Sequence, residues 1–364
     1  FSPDGYTLVC VSLDQTVKLW DSRTGQCLKT WYGNTDWALP VAFSSDGQIL
    51  ASGSNDKTVK LWDWQTGNCI KSLQGHGDFI YGIAFSPDAQ TLASASTDSS
   101  IRLWTVSTGK CFQILHGHTD WVYAVAFHPN GILASGSADC TVKFWDVSQG
   151  KCCTTLTGHS DKILGIAFDQ TGQILASASA DQTVRIWDYQ TGNCCKILDG
   201  HDNRVYGAVF SPDGKTLATC STDLTVKLWD WQTGECLKTF AGHTNWVFSV
   251  AFSPIPPNHP GEGGEIIASA SHDQTVRIWD LKTGECRHIC TGHTHLVSAV
   301  TFSPDGKNIA SGSQDQSVRI WDVLTGECNR VLRAKRLYEG MNIAGVKGLT
   351  AATITTLQAL GALV

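Results

Sequence analysis

Short runs rich in β-branched and aromatic residues follow one another along most of the chain, each broken by Pro, Asp, Asn or Gly. The stretch beginning at Gly117 shows the pattern. Val122 to Phe127 ends at His128-Pro129-Asn130-Gly131, Ile132 to Ser137 ends at Ala138-Asp139-Cys140, and Thr141 leads into Trp145. After the tryptophan a Thr-Gly turn opens a fourth run, Cys111 to Leu115 in the preceding copy. Runs of this length bounded by turn formers read as strands joined by hairpins. In Ser211-Pro212-Asp213-Gly214, proline presets φ and glycine accepts a positive φ, as a tight turn requires.

The runs recur with a fixed period. Eight copies end at Trp20, Trp62, Trp104, Trp145, Trp187, Trp229, Trp279 and Trp321, at intervals of 42, 42, 41, 42, 42, 50 and 42 residues. Each is followed by Asp except Trp104, which is followed by Thr105. A period of this size means stacked supersecondary units. Four strands per unit, closed into a ring, form an all-β propeller of four-stranded antiparallel blades. Seven units are complete, so a seven-bladed ring over residues 33–333 is expected, with residues 1–32 a partial blade of a preceding propeller. An eight-bladed ring lacking one innermost strand is the alternative. Residues 334–364 leave the repeat as a tail, in which Thr350 is placed to cap a short helix through about Leu360. The long interval comes from an exposed Pro/Gly-rich insertion, Ile255 to Gly264.

Gly-His opens six units, at His76, His118, His159, His201, His243 and His293, about 29 residues before Trp-Asp; another opens with Gly33-Asn34. This pairing, repeated in register over about residues 1–333, resembles WD40 repeats. The tail from Tyr338-Glu339-Gly340-Met341 onward resembles the ends of repetitive cyanobacterial-type WD40 proteins. That likeness implies a C-terminal sensing or scaffold array of a cytoplasmic bacterial signalling protein, attached to an upstream NTPase or kinase. The opening Phe1-Ser2-Pro3-Asp4-Gly5 matches the middle of a unit, Phe210 to Gly214, which agrees with a longer protein. No G-x-x-x-x-G-K-[ST] phosphate loop occurs within these residues.

Composition narrows the function classes. A net charge of −6 argues against a nucleic-acid face, and no run of eighteen apolar residues suggests a membrane span. Eight of the 14 cysteines are periodic (Cys27, Cys69, Cys111, Cys152, Cys194, Cys236, Cys286 and Cys328), which spreads them over different units and points to small buried hydrophobes in a reducing compartment. No metal or cofactor is expected: six equivalent histidines lie in six different units, and the close pairs His116/His118 and His293/His295 lack the Cys or carboxylate spacing of a metal motif.

Each Gly-His unit also carries a strand Ser or Thr, a turn Asp and the tryptophan: His118, Ser135 or Ser137, Asp139 and Trp145 in one, His201, Asp223 and Trp229 in another. A catalytic triad would be built once. A set built six times reads as a buried hydrogen-bond chain, as the family resemblance also implies. Asn34 and Thr105 depart from the pattern and are expected to loosen their blades.

Other positions vary from copy to copy. They are Trp37, Phe79, Trp121, Lys162, Arg204, Trp246 and Leu296, then two residues on Tyr81, Tyr123, Tyr206 and Phe248, and before the turn Asp such residues as Asn55, Thr97 and His272. By the resemblance these converge on one rim around the channel mouth, where aromatic rings and arginine suit a protein or peptide partner. A noncatalytic interaction module is therefore expected, with a glycan-binding lectin and a channel hydrolase as alternatives. The hydrolase would need acids set apart from the repeat, such as Glu262, Glu265 or Glu339.

Overall fold

The computed structural model describes residues 1–2, 4–11, 16–32, 38–63, 68–254, 266–315 and 317–333. Trp37, Asn34, the insertion 255–264, Glu265 and the tail with Thr350 and Glu339 lie outside the described residues.

Each repeat folds into one antiparallel sheet. In the fourth unit the strands are Val122–Phe127, Leu133–Ser137, Val142–Asp146 and Lys151–Leu156, paired in chain order. Seven sheets have four such strands, and one, built from Thr7–Val11, Thr16–Asp21 and Cys27–Tyr32, has three among the described residues. The Ser-Pro-Asp-Gly hairpin works as its chemistry dictates. Ser211 Oγ donates to Asp213 Oδ1 (2.6 Å) and accepts from Thr216 N (3.0 Å), while Gly214 sits at φ 71°.

The ring has eight blades, which corrects the expected seven. Buried apolar residues form a separate cluster at each of eight seams, and each cluster joins two consecutive sheets. The three-stranded sheet is part of this ring. Its Leu8 and Trp20 pack against Ala310, Val318, Ile320 and Leu332 of the last blade. Its Val17 and Leu19 pack against Leu50 and Trp62 of the next. In a seven-bladed ring the last blade would meet the sheet Ala38–Phe43 to Asn68–Gln74 directly, but the partial blade occupies that place.

The periodic cysteines are not core residues. They sit on the outermost strands, with Cys27, Cys69, Cys152 and Cys236 exposed and Cys111, Cys194, Cys286 and Cys328 half-buried. The buried thiols are Cys220 and Cys290, both outside the period, and burial pushes each up to about 12.

A cross-strand rule links the third and outermost strands. Lysine two residues before the tryptophan always faces Thr or Ser: Lys18 with Thr30, Lys60 with Ser72, Lys143 with Thr155, Lys227 with Thr239. Arginine there always faces Ile or Val: Arg102 with Ile114, Arg185 with Ile197, Arg277 with Ile289, Arg319 with Val331. Reach explains part of the split. Lys143 and Lys227 donate to the hydroxyls opposite at 2.9 and 3.0 Å, whereas Lys60 donates to Thr58 Oγ1 and Asp56 Oδ2 at 2.7 and 3.3 Å. The longer guanidinium passes the opposite residue: Arg319 Nη2 donates to Gly292 O at 2.8 Å, and Arg277 and Arg319 lie 5.8 and 5.9 Å from the Trp279 and Trp321 ring centroids. The residue opposite then has only a hydrocarbon stem to cover.

Lys143→Arg and Thr155→Ile should each destabilise the fold, and the double variant should recover most of the loss. A coupling of about 0.5–1 kcal/mol is expected in a denaturant-based double-mutant cycle. Strictly additive single effects would show that the pairing has no energetic content.

Candidate functional site

Two sets of side chains lie at the Gly-His end of the blades. One is repeated and buried, the other variable and exposed.

In the repeated set, the Trp145 indole N–H donates to Ser135 Oγ (2.8 Å), which lies 2.7 Å from His118 Nε2, and His118 Nδ1 lies 2.7 Å from Asp139 Oδ2. Asp139 also accepts from the Thr119 and Thr141 amides at 3.1 and 3.0 Å and from the Thr141 hydroxyl at 2.6 Å. Ser135 is therefore the chain's hydroxyl. Ser137 has a different task, accepting from Asp139 N and donating to Asp120 O, both at 3.1 Å. The same chain joins His201, Asp223, Thr219 and Trp229, with spacings of 2.6, 2.7 and 2.9 Å. Among the described residues it is present in six blades.

The order Asp–His–Ser matches a hydrolytic triad, but the surroundings do not. Ser135 is 0 % exposed and its hydroxyl is held between imidazole and indole, so no substrate carbon can reach it. Among the described residues no group of three or more His, Cys, Asp or Glu side chains is placed to hold a metal.

The blade with Thr105 keeps the whole chain: His76 to Asp98 at 2.9 Å, His76 to Ser94 at 2.7 Å, and Trp104 to Ser94 at 2.8 Å. What Thr105 lacks is the carboxylate that caps the following hairpin elsewhere, as Asp146 does for the Ser148 and Gln149 amides at 2.8 and 3.0 Å. The departure at Thr105 thus concerns the opposite end of this blade and leaves its polar chain unchanged. Asn34, the other departure, lies outside the described residues.

Burial opposes ionisation of Asp139, but its hydrogen bonds from His118, Thr141 and Thr119 and the charge of His118 win, holding the carboxyl well below the usual carboxylate range. Asp98, Asp181, Asp223 and Asp273 are depressed in the same way, and Asp315 is brought down to about 2. Burial pushes the His293 imidazole down despite Asp315 beside it.

The variable set is positioned by a bulge. In the innermost strands the register jumps from Ile80↔Ser96 to Gly82↔Ala95, from Val122↔Ser137 to Ala124↔Gly136, from Val205↔Ser221 to Gly207↔Cys220, and from Val247↔Ser271 to Ser249↔Ala270. Tyr81, Tyr123, Tyr206 and Phe248 are the extra residues. A bulged residue leaves the ladder and its side chain is re-aimed. Here rings meet across blades, Tyr81 with Tyr123 (centroids 5.4 Å) and Tyr206 with Phe248 (4.4 Å), and within a blade, Trp121 with Tyr123 (6.1 Å) and Trp246 with Phe248 (6.2 Å). His272 stacks on Phe248 at 4.1 Å. The rim residues thus form two aromatic clusters, on the third and fourth and on the sixth and seventh blades. Lys162 of the fifth blade and Arg204 of the sixth are exposed, and Lys162 Nζ lies 5.7 Å from the Trp121 ring centroid. Trp121 and Trp246 are 44 and 46 % exposed, and Phe79 is exposed beside Tyr81. Leu296 is half-buried and joins neither cluster among the described residues.

Asp139→Ala should lower stability by about 2 kcal/mol, through the loss of several buried hydrogen bonds at once. The depressed aspartates contribute stability that is complete above their unfolded pKa of about 4 and is lost as pH falls through the lower folded values. His293, also depressed, acts in the same direction below its own unfolded value. The unfolding free energy of the parent should therefore fall most steeply below about pH 4, and Asp139→Asn should lose less over that span. An equal acid slope in the two proteins would contradict the charge assignment.

The repeat model described as "WD domain, G-beta repeat" matches residues 1–21, 25–63, 67–105, 109–146, 150–188, 192–230, 234–280 and 284–322. An uncharacterised WD repeat-containing protein of Nostoc sp. (strain PCC 7120) is 82% identical over 34 residues, 9% of this chain and 3% of that protein. The chain thus spans only a small fraction of that relative's length. The crystal structure of the computationally designed Ika8 protein superposes with a TM-score of 0.77 at 32% identity, covering 88% of this chain and 94% of that one. With eight repeat matches in register with eight seam-packed blades, the chain belongs to the WD40 repeat family.

Proposed function

We propose that this propeller is a noncatalytic interaction module whose rim, at the Gly-His end of the blades, binds a protein or peptide partner. Propellers of this family typically serve as protein-interaction scaffolds. One observation carries the reading to a place on the molecule: Trp121 and Trp246 stand 44 and 46 % exposed at positions that the frame leaves free. Large rings held in the open on a rigid base are the usual anchors of a protein interface, because they bury much area at little entropic cost. The frame residues, in contrast, are used up in hydrogen bonds to one another and have no valence left for a ligand. Attachment to an upstream NTPase or kinase, a signalling role and a cytoplasmic setting are consistent with this module and rest on the family likeness alone.

Alanine at both Trp121 and Trp246 should leave the thermal midpoint within about 2 °C of the parent, since neither ring belongs to a seam. Partners captured quantitatively by the parent should be lost by about tenfold or more in affinity. Identical capture by parent and double variant would refute the rim.

A further inference from the structure

The bulged residues at the Gly-His end carry donors that the fold does not use. Tyr81, Tyr123 and Tyr206 are the bulged residues of the third, fourth and sixth blades. Glycine in the preceding blade lets its innermost strand close on two of these bulges. A Cβ at Gly82 would lie 3.0 Å from the Tyr123 carbonyl oxygen, and one at Gly165 2.9 Å from that of Tyr206. The Tyr81 and Tyr123 rings meet edge to face at 5.4 Å, and Tyr206 lies against Phe248 at 4.4 Å. The rings are thus held, while none of the three phenol oxygens makes a hydrogen bond among the described residues.

The phenols share one neighbourhood with two cations. Burial pushes the Tyr123 hydroxyl up, Tyr81, Asp120 and Tyr206 push it further, and Arg204 pulls it down, so groups of the third, fourth and sixth blades act on one oxygen. The fifth blade adds Lys162, whose Nζ lies 5.7 Å from the Trp121 ring centroid, and Trp121 touches Tyr123 at 6.1 Å. Lys162 and Arg204 are exposed, and neither has a carboxylate within ion-pair distance among the described residues. The polar side chains just before the rim residues are turned to the backbone instead. Asp120 Oδ1 accepts from Trp121 N and Asp161 Oδ1 from Lys162 N, both at 2.7 Å, and Asn203 Oδ1 accepts from Arg204 N at 2.9 Å.

Three hydroxyls, a guanidinium and an ammonium are all donors. Hydroxyls alone would suit any polar group, but two cations without counter-charges select an anion. An oxyanion has two or three acceptor oxygens and can take bonds from a phenol and the guanidinium together, with ring faces beside it to cover the chain that carries it.

We propose that Tyr81, Tyr123, Lys162, Arg204 and Tyr206 receive an oxyanion, a carboxylate or a phosphorylated side chain, from a peptide segment of the partner. The inference rests on the rim being the partner surface, as argued above, and names the chemistry that this surface selects. Because the rings are already held by their neighbours, little ordering is left to be done when the anion arrives.

The test uses the full chain and peptide pools carrying a neutral fluorophore, with a fixed central phosphoserine, Glu, Gln or Arg and random uncharged flanks, read by anisotropy. The phosphoserine or the Glu pool should bind about tenfold or more tightly than the Gln and Arg pools, and more weakly as salt rises from about 50 to 300 mM. Whichever of the two binds more tightly identifies the source of the oxyanion. The triple variant Tyr81→Phe/Tyr123→Phe/Tyr206→Phe and the pair Lys162→Gln/Arg204→Gln should each weaken that pool by about fivefold or more. The triple variant keeps every ring and removes hydroxyls that have no partner in the described fold, so it should melt within about 2 °C of the parent, which separates lost recognition from lost structure. The pair changes exposed side chains alone and carries the test if the triple variant does not fold. Equal binding of the anionic and Gln pools, no binding of any pool, or an anionic pool indifferent to the folded triple variant or to the pair would each overturn the proposal. If the Gln or Arg pool binds best and loses its affinity in Trp121→Ala/Trp246→Ala, the oxyanion is wrong and the rim stands. If a pool binds and is indifferent to alanine at both tryptophans, the rim itself is wrong.

Discussion

A tryptophan buried in a seam carries an N–H that must find an acceptor, and much of this propeller follows from that requirement. Trp62, Trp104, Trp145, Trp229, Trp279 and Trp321 are among the largest fully buried side chains. Each packs against an apolar face of a neighbouring blade, which is what closes the ring. Burial of so large a ring is favourable only if the indole N–H is not left orphaned. A hydroxyl from the second strand of the same blade supplies the acceptor; where a Gly-His loop is described, that hydroxyl is itself held by a histidine and the histidine by an aspartate. The aspartate reaches back to the amides of two loops. One polar chain thus runs from the hydrophobic seam to the loops of the rim and fixes their height above the sheet.

Much of this was legible in the sequence, because a repeat is its own internal comparison. Eight tryptophans in period, hairpin signals between them and Gly-His in register specify the blade and its strands. The blade number was not legible in the same way. It depends on which sheet packs against which, and the partial first copy reads equally well as the end of another ring. Only Leu8 and Trp20 lying against Ala310 and Leu332 decide it. Spacing also left Ser135 and Ser137 undecided, since both alternate to the same face of one strand. The periodic cysteines misled for a related reason: small and apolar, they read as core, but the outermost strand faces solvent along most of its length.

The site was legible in part. Comparing copies separates framework from variable positions, and the exposed Trp121 and Trp246 come from that comparison. It could not show that Tyr81, Tyr123, Tyr206 and Phe248 are bulged, because a bulge is a property of the ladder between two strands.

The bulge has a consequence for how such a protein changes over generations. A residue outside the ladder takes part in no register, so the frame does not constrain what stands there. The units are also nearly alike in length and in everything that builds a seam. Exchange of one 42-residue copy for another within the coding sequence therefore replaces a single face of the mouth and leaves its neighbours packed as before. Recombination among the repeats can rewrite what the ring holds, one blade at a time, without passing through an unfolded intermediate.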